Sequence, residues 1–422
     1  MKIKIKILFV LFFAVLRIGF AQETLHLSDC YTLLDNNYPL LKQAAYYDQQ
    51  NDLDLAIIKN KKKPSFEFDA QGNYLSDVTH LPIQLPNVSI AKPNLLQYKA
   101  YAQVNQLIYD GGLIKATLNA QKDVTLAKKK ALEVSVYQMR LQINQLYYSV
   151  LSLQEQKAIL IAKSAVLNAK LKEVKAGVKY GVLLPSQDAI IEASILKLEQ
   201  QIKTVTAQIA SLKNTLATLI GKDISNASFE NESLIIPLEK TIKRPELALF
   251  QLKKDEITNK SKIFNHKNSP KLLGFAQGGL GNPALNMLDN SLQSYYIVGL
   301  KFKWNFFDWN TTKKEKEKVL INKSFIDNQQ EVFELQTKIA LDKQLADIEN
   351  LKNLLTEDKH IITLREKIVK TVASQLKNGV VTSSVYIQEL SNLTEAKTQA
   401  KTHQIQLELA KANYNTLLGN QL

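Results

Sequence analysis

Histidine and cysteine, the residue types most used to ligate metals, exchange protons near neutrality or form disulfides, number five and one in the 422 residues, and their spacing argues against all three roles. The histidines stand at positions 26, 80, 266, 360 and 403, a spread that fits no metal-ligand pattern, so they read as surface or packing residues. Cys30 is the single cysteine and has no partner in the chain for a disulfide. A glycine-rich phosphate loop, a metal triad and a nucleophile with its base are all missing. The sequence therefore predicts no enzyme: no catalytic residue, no cofactor site and no metal site. Its information lies in how elements repeat and alternate.

The elements begin behind a predicted secretory signal peptide, 1–21. Lys2, Lys4 and Lys6 precede an apolar run from Ile7 to Leu16, and Gly19 and Ala21 supply small residues before Gln22. That run is shorter than the roughly 20 residues of a spanning helix. No cysteine follows the cut, so the signal is not a lipoprotein one. Cleavage removes four basic residues and no acid, leaving 50 Lys and Arg against 40 Asp and Glu. The lysines are spread along the helices without clustered arginines and aromatics, which describes a solvated surface and excludes a nucleic-acid partner.

The chain then repeats itself. At a constant offset of 198, Tyr109-Asp110 falls on Phe307-Asp308, Gly181 on Gly379, and Gly221 on Gly419. An earlier set matches at offset 206: Pro39 on Pro245, Pro64 on Pro270, Gly72 on Gly278. The difference is absorbed by a shorter loop before Ser294 than before Gln97. Tandem duplication predicts two structural repeats, 22–221 and 245–422, joined by a connector, 222–244.

Within the first repeat, apolar residues recur every three or four positions from Ser28, a candidate N-cap, to Lys63, predicting one helix that Pro64 ends. The period then drops to two. Phe66, Phe68, Ala70, Gly72 and Tyr74 alternate with Glu67, Asp69, Gln71 and Asn73, and after a loop with Pro82, Pro86 and Pro93 a second strand alternates Tyr98, Ala100, Ala102 and Val104 against polar neighbours. These form a predicted hairpin, about 65–107. A second hairpin, about 271–306, ends in the clean alternation of Tyr296, Val298, Leu300, Phe302, Trp304 and Phe306. Strands of about ten residues, aromatic at the ends of the apolar face and charged on the other, suit a tilted crossing of a bilayer. Tyr98, Val104, Phe302, Trp304 and Phe306 are the candidate lipid-facing residues. Four strands cannot close a barrel, so the barrel must be shared between chains.

Long helices are predicted over about 111–178 and 312–377, each turning at a glycine into a shorter helix, about 184–220 and 383–418. Heptad spacing such as Leu132, Val136, Met139, Ile143 and Leu146 marks coiled-coil seams. A helix of about 70 residues is ~105 Å long, so the glycine turns are expected far from the sheet.

This order of helix, hairpin, long helix, glycine turn and short helix, given twice behind a signal peptide, resembles the TolC-type outer membrane efflux duct family. The turn segments KYGVLLPSQDAIIEA and KNGVVTSSVYIQEL are similar to the family's tip pattern. The resemblance implies a mainly α fold with a membrane β-barrel contribution: a homotrimer with a twelve-stranded barrel in outer membrane lipid and an α-helical periplasmic tunnel. It further implies a channel of a tripartite efflux or type I secretion system, working with a periplasmic adaptor (membrane fusion) protein and an inner-membrane pump. Tyr180, Gly181, Val182, Leu183, Gly379, Val380 and Val381 become the candidate tunnel tip and docking surface. Some family members carry aspartates six and nine residues after the second glycine; here those positions are Val385 and Gln388, and the nearest acids, Asp188 and Glu389, are the candidate constriction. Either also suits a helix start, where the dipole favours carboxylates. The alternative reading, a soluble periplasmic coiled-coil adaptor, explains the heptads and the signal peptide but not four amphipathic strands.

Overall fold

The computed structural model describes residues 24–79, 92–237 and 240–420. The predicted signal peptide and the loop prolines Pro82 and Pro86 lie outside them. In chain order the elements are β1 (Thr24–Leu25), α1 (Leu27–Asn37), a 3-10 turn (Pro39–Leu41), α2 (Lys42–Asn60), β2 (Ser65–Tyr74), β3 (Leu96–Tyr109), α3 (Leu113–Gln138), α4 (Arg140–Lys179) and α5 (Gln187–Ile220). They continue as β4 (Ser228–Phe229), α6 (Pro245–Lys267), β5 (Lys271–Asn282), β6 (Gln293–Lys303), α7 (Thr311–Lys377) and α8 (Ser383–Leu418).

Two helices expected to be continuous are broken. The first stops at Asn37 because Pro39 forces Tyr38 into an extended conformation (φ −63°, ψ 125°) and offers no N–H of its own. Its start also moves. His26, not Ser28, is the N-cap, held by Asp29, whose carboxylate accepts the His26 N–H at 3.0 Å. The second break, at Met139, has no proline or glycine to announce it; there the Met139 N–H reaches Val136 O at 3.0 Å, and regular helix resumes at Arg140. By contrast α7 runs unbroken for 67 residues. The helix expected from about 184 begins at Gln187, since Pro185 and the positive φ of Ser186 (121°) hold the preceding residues in the turn.

The chain divides into two compact units. One comprises Gln43–Ala131 and Ala248–Gln330 and contains the whole four-stranded sheet, antiparallel in the order β2-β3-β5-β6. Registers align the alternation across all four strands. Phe66 faces Val104, Val104 faces Ala276, and Ala276 faces Val298, so the middle of one face is apolar across all four strands, with Gln106, Asn282 and Ser294 towards its ends. The other carries Glu67 opposite Gln103, Gln71 opposite Lys99, and Lys271 opposite Lys303. Helices leave the strands through carboxylate caps: Asp110 accepts the N–H groups of Gly112 (3.0 Å) and Ile114 (2.6 Å), and Asp308 accepts that of Thr312 (2.9 Å). Polar pairs hold the helices of this unit together, among them Lys129 to Asp48 at 2.8 Å and Lys254 to Asp327 at 3.0 Å.

The other unit comprises residues up to Lys42, Leu132–Leu247 and Glu331–Leu422. Its main core gathers Cys30 and Leu34 of α1, Ile143 and Tyr147 of α4, Leu216 and Ile220 of α5, and Ala412 of α8, all buried. Each such aliphatic side chain contributes about 1.5–3 kcal/mol by leaving water. Tyr147 also ties down a feature the alternation pattern does not announce, the two-residue parallel bridge of β1 with β4. Its hydroxyl lies 2.8 Å from the carbonyls of both Leu25 and Glu230. Beside it Asn144 donates to Asn413 (3.0 Å) and Thr416 (3.1 Å) and accepts from the Tyr31 hydroxyl, so a buried amide has its partners. The guanidinium of Arg140 lies 4.8 Å over Tyr31 and 4.7 Å over Tyr137 and pairs with Asp35 at 2.7 Å. Burial pushes the Cys30 thiol and the Tyr31 phenol each up to about 12.

Candidate functional site

Two turns of the helical unit carry the predicted tip residues. At the end of α4, Gly181 takes φ 73°, and the Val182 N–H returns to Gly177 O at 2.9 Å; at the end of α7, Gly379 takes φ 70°, and the Val380 N–H returns to Gln375 O at 2.9 Å. Both are left-handed helix stops with the same six-residue closure, a geometry that side chains resist and glycine does not. The structure brings the turns together. A Cβ on Gly379 would lie 3.3 Å from the Val182 carbonyl oxygen. The buried side chain of Gln187, from the first turn of α5, accepts the Ser383 N–H at 2.6 Å and so caps α8.

The predicted tip residues divide by exposure. Tyr180, Val182 and Val380 are 77%, 61% and 70% exposed. Leu183 and Val381 instead turn inward and pack on the cluster of Val174, Ile191, Leu376 and Tyr386. The outward leucine of the first turn is Leu184, 68% exposed and missed by the sequence reading. Leu183 and Leu184 are adjacent and chemically identical. The turn closes with the Val182 and Leu183 N–H groups both on Gly177 O, at 2.9 and 3.1 Å, and with the Leu183 side chain against Gly177, which has no Cβ to block it.

The two candidate acids are held differently. Asp188 sits in the first turn of α5 with its carboxylate over the Ala189 N–H at 2.9 Å, a helix-start role. Glu389 accepts from Arg365 of α7 at 3.2 Å and from Asn392 at 3.3 Å, which ties α8 to α7. A second cross-helix contact joins the same pair, His403 to Asp358 at 2.8 Å, both largely buried. Neither Arg365 nor Asp358 carries a sequence signal, because each lies in a long run of charged helical residues. Among the described residues no cluster of three His, Cys, Asp or Glu side chains could hold a metal ion, and no helix is long and apolar enough to cross a membrane.

The sheet supplies the second surface. Its apolar face is exposed most fully along the two edge strands: Phe66, Phe68 and Tyr74 on β2 and Tyr296, Val298, Leu300 and Phe302 on β6, with Tyr98 on β3 and Leu280 on β5 between them. Val104, between Phe66 and Ala276 on the same face, is half-buried by its neighbours. β6 ends at Lys303, three residues earlier than expected, so Trp304 and Phe306 lie just past it. Both are exposed, with ring centroids 6.0 Å apart. Phe307 and Trp309 form a second exposed pair at 4.8 Å. An aromatic group at the end of an outward apolar face is the composition of a membrane-water boundary.

Comparison with solved structures decides what architecture this is. The CusC channel matches over 93% of this chain and 92% of its own with a TM-score of 0.68 at 13% identity. VceC, an outer membrane protein of Vibrio cholerae, matches over 93% and 96% (0.64, 12%), and the CmeC outer membrane channel of Campylobacter jejuni over 94% and 86% (0.62, 15%). The fold is that of the outer membrane channels. No family model and no curated protein matches the chain. At these identities the likeness is one of fold, and it extends over nearly the whole outer membrane channel architecture. The resemblance to TolC-type ducts drawn from the glycine turns and the strand alternation therefore stands at the level of fold.

Proposed function

We propose that this chain is the outer membrane channel of a tripartite efflux or type I secretion system, conducting substrate passively. In this reading three copies complete a twelve-stranded barrel in outer membrane lipid, and their helices extend a tunnel into the periplasm. One observation carries the proposal: a four-stranded sheet with a largely exposed apolar face, an opposite face that carries Glu67, Asp69, Lys99, Lys301 and Lys303, and two edges, β2 and β6, that pair with no further strand among the described residues. In water such a face would aggregate, and in lipid such edges would leave backbone groups unsatisfied. Both problems vanish if the edges pair between copies. The alternative, a soluble adaptor, has no use for this sheet.

Two finer parts belong to the same proposal. The halves 22–221 and 245–422 are tandem repeats around the connector 222–244, supported by the matched left-handed glycines at 181 and 379 and at 221 and 419 and by the matched caps Asp110 and Asp308. The exposed Tyr180, Val182 and Val380, with Leu184, dock a periplasmic adaptor that joins an inner-membrane pump. Val182→Glu with Val380→Glu tests this, since both side chains point to solvent and the glycine stops remain. Trimers should assemble at wild-type level while crosslinking to the adaptor and transport are lost; retained crosslinking and transport would exclude the turns as the docking surface. Membrane assignment is tested separately. The protein should need detergent for release from outer membranes and run as a trimer by native mass spectrometry, whereas release by a salt wash as a monomer would refute the channel.

A further inference from the structure

The two free edges of the sheet carry opposite charge on the same face. β2 places Glu67 and Asp69 on the polar face and no lysine; β6 places Lys301 and Lys303 there and no acid, and all four side chains are exposed. Within the chain Lys303 stands directly opposite Lys271, a like-charge cross-strand pair that costs stability. Edge pairing of β2 with β2 would oppose carboxylates and pairing of β6 with β6 would oppose ammonium groups. Pairing β6 of one copy with β2 of the next opposes unlike charges and gives Lys303 an acid on its open side. That contact is heterologous, the kind that closes into a ring.

The register follows from the chain itself. Adding 206 to β2 numbers gives β5, and adding 198 to β3 numbers gives β6; under these shifts the pairs Ser65 with Asn105 and Gly72 with Tyr98 become Lys271 with Lys303 and Gly278 with Tyr296, and all four pairs occur. The two hairpins thus share one register. The junction between them, β3 with β5, pairs Asn105 with Phe275, Val104 with Ala276 and Gln103 with Gln277. Carried by the same shifts onto the free edges, those pairs become Lys303 opposite Asp69, Phe302 opposite Ala70 and Lys301 opposite Gln71.

We propose, resting on the shared-barrel reading above, that copies of this chain join by antiparallel pairing of β6 with β2 of the next copy in that register. Lys303 bonds the neighbour's Asp69 on the polar face, and Lys301 reaches the same carboxylate along the diagonal. Phe302 and Leu300 meet Ala70 and Gly72, so the apolar face continues across the seam. A one-residue slip would turn Phe302 to the polar side.

Directly opposed residues stand about 4.5–5.5 Å apart at Cα, within disulfide reach, and diagonal ones do not. The full chain carrying Asp69→Cys and Lys303→Cys should form a ladder of covalent dimers and trimers on oxidation in outer membranes; buried Cys30 takes no part. Glu67→Cys with Lys303→Cys and Asp69→Cys with Lys301→Cys, which report a two-residue slip, should crosslink poorly. In cysteine-free form, Lys303→Asp or Asp69→Lys alone should lower the temperature at which the oligomer dissociates, and the two together should restore it. Oligomers that crosslink mainly at the slipped pairs, or a double reversal no better than the singles, overturn this register while leaving the barrel. Protein that stays monomeric and uncrosslinked in every variant overturns both.

Discussion

Placing an alanine at each of two left-handed helix stops should separate backbone strain from packing. Gly419, after α8, takes φ 89°, and a Cβ there would lie 2.5 Å from both the Arg244 nitrogen and the Lys243 carbonyl carbon. These are backbone atoms and cannot rotate away. The same segment donates the Lys243 N–H to Leu418 O at 2.6 Å, a bond the displacement would stretch. The left-handed conformation itself costs an alanine about 1–2 kcal/mol; overpacking adds about 1–3 kcal/mol and the lost hydrogen bond about 1 kcal/mol. Gly419→Ala should therefore cost about 3–6 kcal/mol in all. Gly181 takes φ 73°, but no heavy atom lies within 4 Å of its virtual Cβ, so Gly181→Ala should cost only the conformational term, about 1–2 kcal/mol. Helical circular dichroism of detergent-extracted protein against temperature reads the difference as two ordered midpoints, with Gly419→Ala clearly lower. Equal midpoints, or a larger loss at Gly181, would refute the assignment of the cost to the 243–244 backbone.

Raised acid pKa values give the opposite pH behaviour to salt-bridged carboxylates. The folded state keeps Cys30 and Tyr31 protonated up to about 12, whereas an unfolded chain releases those protons from about 9 and 10, so stability should hold below pH 9 and fall between pH 9 and 12. A denaturant titration at several alkaline pH values checks the sign. Cys30 should resist alkylation in the folded protein at pH 8 and react fully on unfolding, as a buried thiol with little thiolate must. Gln187→Ala removes the acceptor for the Ser383 N–H; it should cost about 1 kcal/mol and speed amide exchange at the start of α8 without affecting α7. Asp308→Ala should fray the first turn of α7 in the same assay, while wild-type protein should show that fraying only as pH falls below the ordinary carboxyl range, because hydrogen bonds from the Thr312 side chain and N–H hold the Asp308 pKa down.

Elements whose cause is local were legible in the sequence. The two-residue alternation around Phe68 and Phe302 gave the strands, and all four fall in one sheet with one apolar face, because a period-two pattern can satisfy only one register at a time. Gly181 and Gly379 could be recognised as turns since no other residue ends a helix so cheaply in the left-handed region. Elements whose cause is tertiary were not. The break at Met139 has an ordinary helical sequence on both sides and coincides with Arg140, whose guanidinium sits over Tyr31 and Tyr137, residues of which the first is more than a hundred positions away. The bridge of β1 with β4 is two residues long and depends on the Tyr147 hydroxyl, so neither strand shows a period.

The candidate docking surface lies between these cases. Its location follows from the glycines, but its composition depends on which of several adjacent apolar residues the turn closure points outward. Leu183 and Val381 belong to the core under the turns, and replacing them with charges would bury unpaired charge and damage packing whether or not a partner docks there. Tyr180, Val182, Leu184 and Val380 have no such internal role that burial would reveal. A charged residue at Leu184 should therefore behave like one at Val182, with folding intact and adaptor crosslinking lost, whereas the same charge at Leu183 should lower stability first. Equal destabilisation by Leu183→Glu and Leu184→Glu, read from the same thermal midpoints, would mean that the turn faces differently in the assembled protein and that the outward set has been chosen wrongly.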